Sequence, residues 1–343
     1  MDTPIFEKKN VLVIGGAGFI GSRLCERLLK DANVICIDNF SNSRPDNINH
    51  LLQYADFEFI NHDINQPLNV EQFDELDKFK VKFQGIQEIY HLACPTSPKD
   101  FEKNKILTLL ANSGAMINTL ELAVQYRAKY IFTSSAVVYG DQADTTRPLK
   151  ETNFGPVNQL SPRACFDEGK RFAETCVATY AQTQGIDAKI ARVFTTYGPH
   201  MRLFEQQLIP DFIINALEGR DLMVYGDENF STTLCYVTDM VDGLVRLMGS
   251  GPEVKVVNVG GDHVIKYTEV AQMILDITSS SSAIRFEQPL LFLTKKGAPD
   301  LSYAKEVLGW LPLVRLEDGL RKTIDYVISH KEELLFGNSG ASR

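Results

Sequence analysis

The sequence predicts an α/β fold built on a doubly wound parallel sheet, with a smaller region at its C-terminal end. Two observations predict it. One is an apolar run, NVLVIGG, that leads directly into a turn with the glycine spacing Gly15-x-x-Gly18-x-x-Gly21. The other is a series of short strand-like runs separated by helix-patterned segments, an alternation that produces parallel strands with helices on both faces. The runs cover residues 11–14, 34–37, 57–60, 88–92, 130–133 and 188–193.

The glycine turn is typical of a dinucleotide-binding (Rossmann) motif. Glycines between a strand and a helix let the backbone approach a pyrophosphate, and the first N–H groups of the helix face the anion. Residues 33–37 form a second strand that leads into Asp38. A carboxylate about 20 residues after the turn accepts hydrogen bonds from the adenosine ribose and repels a 2′-phosphate. The expected cofactor is therefore NAD rather than NADP.

Two long helices are expected, over residues 103–127 and 162–184, and Pro162 and Gly185 bracket the second one. After about residue 195 the predicted elements become shorter and are punctuated by glycine and proline. We therefore expect an NAD-binding Rossmann domain over residues 1–195, a partly interleaved substrate-binding region over residues 196–335, and a flexible tail over residues 336–343.

Charge and composition exclude several classes of partner. The net charge of -9, without any basic run, argues against a nucleic-acid partner. The N-terminus lacks a signal pattern, and no apolar stretch approaches the roughly 18 residues that span a membrane. We expect a cytoplasmic protein with no membrane partner. The scattered cysteines and histidines lack disulfide or metal-ligand spacing, so they predict reduced thiols and no metal site.

Further motifs follow in order along the chain: HLACPTSP from His91, SSAVVYG from Ser134, CFDEGKR from Cys165 and TYGPHM from Thr196. With these motifs the sequence resembles the extended short-chain dehydrogenase/reductase family, of the NAD-dependent epimerase/dehydratase type. Within it, the likeness is strongest to the UDP-glucuronate decarboxylases and covers most of residues 10–330. The resemblance implies NAD as cofactor and a nucleotide sugar as substrate. It also implies a homodimer whose four-helix interface is formed by the two long helices.

The resemblance places Ser135, Phe166 and Lys170 at the catalytic centre. In the family a tyrosine precedes the lysine by four residues, so that the ammonium and the phenol share one helix face. Here Phe166 occupies that position, and its ring cannot carry a proton. A sugar hydroxyl therefore needs another base as its hydride leaves. The candidates that remain open are Cys94, Tyr139, Tyr197 and His200.

The resemblance also implies the residues that hold the two ligands. For NAD they are Gly15, Gly18, Phe19, Ile20, Asp38, Asn39, Asp63, Ile64, Leu92, Ala93 and Lys170. For the substrate they are Thr195, Gln207, Tyr225 and Thr232. Gln207 and Thr232 stand where the family has arginines, which bind a diphosphate through charge-assisted hydrogen bonds. Their loss implies a different substrate, a different set of anchoring groups, or no turnover.

The function expected first is an NAD-dependent enzyme that oxidises C4 of a nucleotide sugar, in the manner of a UDP-glucuronate decarboxylase but without the usual tyrosine. Ala136 and Val137 stand where the decarboxylases and the sugar-nucleotide 4,6-dehydratases place polar and acidic groups, so 4,6-dehydratase activity is not expected. A 4-epimerase or 4-dehydrogenase that uses a different base is one alternative. Another class is an NAD-binding, catalytically impaired homologue with a regulatory or structural role. Glu174 is expected to be a surface charge, and His91 a buried core residue.

Overall fold

The computed structural model describes residues 8–97, 101–141, 147–290 and 297–336. Within these ranges the strands are β1 (Lys9–Ile14), β2 (Ala32–Asp38), β3 (Phe57–Asn61), β4 (Glu88–His91), β5 (Lys129–Ser135), β6 (Ala188–Val193), β7 (Thr196–Tyr197), β8 (Leu222–Tyr225), β9 (Ser231–Thr233), β10 (Cys235–Tyr236), β11 (Val256–Val259), β12 (Val264–Lys266) and β13 (Ile284–Glu287). Residues 337–343 of the predicted tail lie outside the described residues.

The α-helices of the same ranges cover both faces of the sheet and build the C-terminal region. They are α1 (Phe19–Leu28), α2 (Val81–Gln84), α3 (Phe101–Ala111), α4 (Gly114–Tyr126), α5 (Ala164–Gln184), α6 (Leu208–Leu217), α7 (Val237–Gly249), α8 (Tyr267–Thr278), α9 (Ser302–Leu308), α10 (Leu316–Ser329) and α11 (Lys331–Phe336).

The central sheet has the strand order β11-β6-β5-β4-β1-β2-β3, and all neighbouring pairs are parallel. The chain therefore winds outward from β1 to β3 and then, from β4, in the opposite direction. In open sheets of this kind ligands bind at the carboxyl ends of the strands, where the winding reverses. Every predicted strand run lies in this sheet, which confirms the predicted fold class. The seventh strand, β11, comes from the region assigned above to substrate binding.

Strand β1 is apolar from Val11 to Ile14 because both faces of the sheet are covered there. Val11 and Val13 face one core with Leu244 of α7, whereas Leu12 and Ile14 face the other core, with α4 and α5. Successive side chains of a strand point to opposite faces, so a doubly covered strand has no position for an exposed polar residue.

The predicted helix over residues 103–127 is two helices, because α3 ends at Ala111 and α4 begins at Gly114. The Asn112 amide donates to Thr108 O (2.8 Å) and the Ser113 hydroxyl to Leu109 O (2.7 Å). Such side-chain bonds to the backbone compete with continued helical bonding.

By length and composition, the described stretch Glu102–Tyr126 could cross a membrane, although the sequence expectation was that no stretch could. Half of its most apolar window is buried inside the protein. Core helices of folded domains meet the same criterion, so this stretch alone does not establish a membrane span.

His91, at the end of β4, is buried as expected. Its Nδ1 lies 2.9 Å from the Thr119 hydroxyl and 3.0 Å from the Tyr130 hydroxyl. Burial lowers the pKa of His91 to about 3, and the nearby positive charge of Lys170 acts in the same direction. The ring is therefore neutral at physiological pH and is part of the core beneath the strand end.

The C-terminal region builds its own apolar core between α6, α8 and α10, around Ile213, Ile274 and Leu320. Phe19 and Ile20, at the start of α1, pack against this core. The region therefore lies next to the glycine turn and closes one side of a cleft at the carboxyl ends of the strands.

Candidate active site

A cavity of about 570 Å³ lies at the carboxyl ends of β1 to β6 and extends to the C-terminal region. This volume is within the range of ligand sites in enzymes. All of the residues predicted to hold the cofactor line it. So do the predicted catalytic residues Ser135, Phe166 and Lys170, together with Thr195, Gln207 and Tyr225 of the predicted substrate set.

The glycine turn forms one wall that side chains would block. Gly15 has a left-handed backbone (φ +81°), and a Cβ there would lie 2.7 Å from Ala93 N. A Cβ on Gly21 would collide with Gly15 O. Helix α1 begins at Phe19 with Gly18 as its N-cap, and no described side chain caps it. Its first N–H groups thus remain for an anion, as the pyrophosphate of a dinucleotide requires.

Asp38 ends β2 beside this turn. Its Oδ2 accepts a hydrogen bond from Ala17 N (3.0 Å), and its Oδ1 accepts from Phe40 N (2.9 Å) and from the Ser43 hydroxyl (2.6 Å). A carboxylate has about four acceptor positions, so these contacts leave one for a ribose hydroxyl. Asp38 therefore holds the loop that follows β2 and can still bind the adenosine ribose of a cofactor.

Asp63 follows β3 at the same end of the cavity. Its Oδ1 accepts from both the backbone and the side-chain nitrogen of Asn65, at 3.0 and 2.9 Å. These bonds form a turn that fixes the carboxylate at the cavity wall. Together the glycine turn, Asp38 and Asp63 fit an adenine dinucleotide, as the sequence predicts.

Lys170 is buried on the cavity wall, where its ammonium donates to Thr133 O at 3.0 Å. Burial lowers the pKa of Lys170, and the charges of Cys94 and Glu174 oppose that change. Phe166 lies one turn earlier on α5 and also faces the cavity. The lysine and the phenylalanine thus share one face of the helix, as their spacing predicts, and the aromatic ring adds no proton-transferring group.

Two of the four candidate bases are outside the described lining of the cavity, namely Tyr139 and Tyr197. The Tyr139 hydroxyl donates to Asn258 Oδ1 at 2.6 Å and accepts from Arg192 at 3.0 Å. The Tyr197 hydroxyl donates to Leu316 O at 3.2 Å. Burial raises the pKa of both phenols. Both tyrosines are therefore structural.

The other two candidates, Cys94 and His200, line the cavity. His200 Nδ1 lies 3.2 Å from Asn47 Oδ1, and its ring stacks on Tyr326. Burial lowers the pKa of His200 to about 3, so its ring is a weak base. The Cys94 thiol accepts a hydrogen bond from the Asn112 amide at 3.2 Å.

The expectation that Glu174 is a surface charge is wrong. Its carboxylate accepts from the Ser134 hydroxyl (2.6 Å) and from Arg192 Nε and Nη2 (3.0 and 2.8 Å). Glu174 lies one turn beyond Lys170, so the side of α5 that faces the sheet carries both residues. That spacing was a usable signal in the sequence. No comparable signal in the sequence indicated that Arg192 on β6 lies next to Glu174.

On the substrate side, Thr232 is outside the described lining, but its hydroxyl donates to the Thr195 hydroxyl at 3.2 Å. The sequence missed other residues that face this part of the cavity, among them Met223, Tyr267, Arg202, Glu205 and Asp211. The Arg202 guanidinium is paired with Glu205 at 3.1 Å. Burial raises the pKa of Asp211 to about 6. Over the described ranges, no cluster of three or more acidic, histidine or cysteine side chains could hold a metal ion.

Comparison with known proteins shows the family of the chain. The model of a family described as the NAD dependent epimerase/dehydratase family matches residues 11–260. The chain belongs to this family. The predicted resemblance, the assignment as an enzyme and NAD as its cofactor are thereby confirmed.

A curated relative is UDP-glucuronic acid decarboxylase 1 of Danio rerio, which is 38% identical over 321 residues, covering 93% of this chain and 73% of the relative. Among solved structures, UDP-glucose 4-epimerase of Thermotoga maritima with UDP-glucose has a TM-score of 0.81 at 25% identity, covering 94% and 99% of the two chains. UDP-glucuronic acid 4-epimerase of Bacillus cereus, in complex with UDP-glucuronic acid and NAD, has a TM-score of 0.80 at 28% identity, covering 93% and 99%. The relatives are thus enzymes that act on nucleotide sugars.

Proposed function

We propose that this protein oxidises C4 of a nucleotide sugar with NAD and that its reaction resembles that of a UDP-glucuronate decarboxylase. The observation that carries the proposal is the continuity of the cavity. The glycine turn and Asp38 line one end, Lys170 and Ser135 the middle, and Thr195, Gln207 and Tyr225 the other end. A sugar at the substrate end would reach the buried ammonium. The 38% identity to a UDP-glucuronic acid decarboxylase favours UDP-glucuronate as the substrate over other nucleotide-linked uronates.

Bound NAD would supply a hydride acceptor. Oxidation at C4 turns a carboxylate on C5 into that of a β-keto acid, which loses carbon dioxide. The protein's own part is to hold the groups in place. Thr133 O fixes the Lys170 ammonium, and Ser135 presents its hydroxyl from the end of β5, where its oxygen also accepts from Val137 N at 3.4 Å.

A 4-epimerase or 4-dehydrogenase is the second candidate. Ala136 and Val137 are both buried and apolar beside Ser135, so this wall lacks the acid and base that elimination across C5 and C6 needs. Hydride transfer at C4 alone does not need them. The similarity to solved 4-epimerases favours this candidate next to decarboxylation.

A catalytically impaired, NAD-binding homologue is the candidate from another class. Three departures around one pocket motivate it: the Phe166 ring beside Lys170 has no proton to exchange, and Ala136 and Val137 are apolar. In that case the cavity would still bind NAD, and the protein would have a regulatory or structural role.

We further propose a homodimer through α3, α4 and α5. Their outer faces carry the exposed apolar side chains Ile106, Leu110, Ile117 and Phe172. Exposed apolar side chains on neighbouring helices are typical of a protein interface. The division into an NAD-binding domain over residues 1–195 and a substrate-binding region over residues 196–335 belongs to the same proposal. So does a cytoplasmic location, which fits the free cysteines.

Purified protein incubated with NAD and UDP-glucuronate tests the proposal. Formation of UDP-pentose and carbon dioxide is the expected result, whereas UDP-galacturonate would identify the 4-epimerase. Accumulation of reduced nicotinamide would identify the 4-dehydrogenase. If calorimetry shows NAD binding but no product forms from UDP-glucuronate, UDP-glucose or their N-acetylated analogues, the catalytically impaired homologue is the candidate that remains. Light scattering in the same buffer tests the dimer.

A further inference from the structure

Oxidation of an alcohol needs a group that accepts the hydroxyl proton, within hydrogen-bond reach of the reacting oxygen. Such a group should lie near Lys170, in the middle of the cavity. The ionisable side chains of the described lining that can act as proton acceptors are the phenols of Tyr225 and Tyr267 together with Asp38, His62, Asp63, Cys94, His200, Glu205 and Asp211. Tyr225 on β8 and Tyr267 at the start of α8 belong to the C-terminal region, and burial raises the pKa of both phenols. Their positions in the fold separate them.

Three of these groups lie at the end formed by β2 and β3, which are the outermost strands on that side of the sheet. Asp38 ends β2, and His62 and Asp63 follow β3. Lys170 instead contacts β5, through Thr133 O. Strands β4 and β1 separate β5 from β2, so these three groups belong to the adenosine end.

Three others are held by the loop before α6 or by its first turn. Glu205 is buried, accepts from the Ser97 hydroxyl and is paired with Arg202. His200 is held by Asn47 and Tyr326, as described above. The carboxylate of Asp211 faces the backbone N–H groups of residues 204–206 and the charge of Glu205. None of these three, among the described contacts, interacts with Lys170.

Cys94 has a different position. In the pairing of β4 with β5, His91 is opposite Phe132. Cys94 and Ser135 each follow three residues later, so both reach the same edge of the sheet on neighbouring strands. Cys94 and Lys170 both line the cavity, and the charge of Cys94 acts on the pKa of Lys170. The Asn112 amide, itself buried, donates to the sulfur at 3.2 Å.

We propose that Cys94 Sγ accepts the proton of the sugar hydroxyl, in the place that Phe166 leaves without a proton carrier; this inference rests on the proposed function. The O–H and C–H bonds at the sugar carbon break, a C=O and an S–H bond form, and the hydride passes to oxidised NAD. The thiol returns its proton when the carbonyl is reduced again. The proton acceptor in this step is the sulfur as a thiolate, and the Asn112 N–H is placed to donate to it.

Two single variants and one double variant test this role. With UDP-glucuronate and NAD, Cys94→Ala should lower kcat by about 10²- to 10⁴-fold, the usual contribution of a proton-transfer group. Its KM should change little. Cys94→Ala combined with Phe166→Tyr should recover at least tenfold over Cys94→Ala alone, because a phenol then replaces the thiol. Cys176→Ser, at a partly buried thiol on α5 outside the described lining, is the matched control and should equal wild type.

Labelling supplies a readout that does not depend on turnover. Iodoacetamide followed by mass spectrometry should modify Cys94, and NAD with UDP-glucuronate should slow that modification at least tenfold. Lys170→Met should also slow it in the free protein, because the ammonium no longer favours the thiolate. Cys176 should show neither effect.

The outcomes separate the two proposals. Turnover by Cys94→Ala within twofold of wild type, or a Cys94 that is not protected by the two ligands, overturns the role of Cys94 and leaves the proposed function intact. Absence of turnover by the wild-type protein with NAD bound contradicts the proposed function, and the role of Cys94 with it.

Discussion

Phe166 and Lys170 lie one turn apart on α5, with the ammonium nitrogen 5.9 Å from the centre of the phenyl ring. The same nitrogen is 4.6 Å from the centre of the Phe132 ring and donates to Thr133 O. A buried cation held between two aromatic rings acts strongly on any proton carrier next to it, because water does not screen it. The chain thus keeps the charge that would activate a phenol but not the phenol.

Phe166→Tyr should raise kcat with UDP-glucuronate by at least tenfold. The new hydroxyl would lie beside Lys170, whose positive charge favours the phenolate. Steady-state assays of sugar product measure the change. Phe154→Tyr, on an exposed loop residue, serves as control and should have no effect. An unchanged rate in Phe166→Tyr would mean that the missing phenol does not limit the reaction.

Asp38→Ala should weaken NAD binding by about tenfold, since one hydrogen bond to a charged group contributes on the order of 1.5 kcal/mol or more. Binding of NADP should weaken less or improve, because a carboxylate no longer opposes the 2′-phosphate. Calorimetry with both nucleotides measures the two dissociation constants. Asp46→Ala, on the exposed part of the same loop, is the control. Equal losses for NAD and NADP would contradict the role of Asp38 in cofactor choice.

Glu174→Ala should lower the free energy of unfolding by about 3 kcal/mol, because it leaves the mostly buried Arg192 guanidinium without its carboxylate partner. Urea denaturation followed by circular dichroism measures it. Glu168→Ala removes a carboxylate from the exposed side of the same helix, 3.9 Å from Arg171, and should cost less than about 1 kcal/mol. Similar losses in the two variants would show that the buried pair contributes no more than a surface one.

His91 should make the protein less stable in acid. Its pKa is about 3 in the folded protein, below the value of about 6.5 in an unfolded chain. The unfolded state therefore binds more protons between these values. Stability attributable to His91 is complete above pH 6.5 and falls as the pH decreases towards 3, by up to about 1.4 kcal/mol per pH unit.

Urea titrations of wild type and His91→Gln between pH 7 and pH 4 test this effect. The variant starts from a different stability because its contacts with Thr119 and Tyr130 change, so the slope against pH is the quantity to compare. A smaller slope in His91→Gln is expected. Parallel slopes would contradict the prediction.

The sequence predicted the fold and the adenosine end of the cavity because local patterns determine them. The glycine turn, the apolar runs and Asp38 each depend on neighbours within a few residues or on one strand end. The break at Asn112 was missed because the side-chain bonds that end α3 compete with an otherwise helical pattern. Glu174 was misjudged because its partner, Arg192, is brought to it only by the pairing of β5 with β6.

The choice among the candidate bases also needed tertiary structure. Tyr139 and Cys94 each carry an exchangeable proton, and each lies in a motif that resembles the family. Only their positions in the folded structure distinguish them. One is bonded to Asn258 and Arg192 away from the described lining, and the other faces the cavity. Thr232, predicted to bind substrate from its place in a motif, reaches the cavity only through the Thr195 hydroxyl.

Strand β11 pairs with β6 although most of the chain between them builds the other wall of the cleft. A fragment that stops near residue 195 would consequently expose a bare strand edge and be prone to aggregate. Expression of the N-terminal part as a separate module would therefore require the exposed edge of β6 to be covered or blocked.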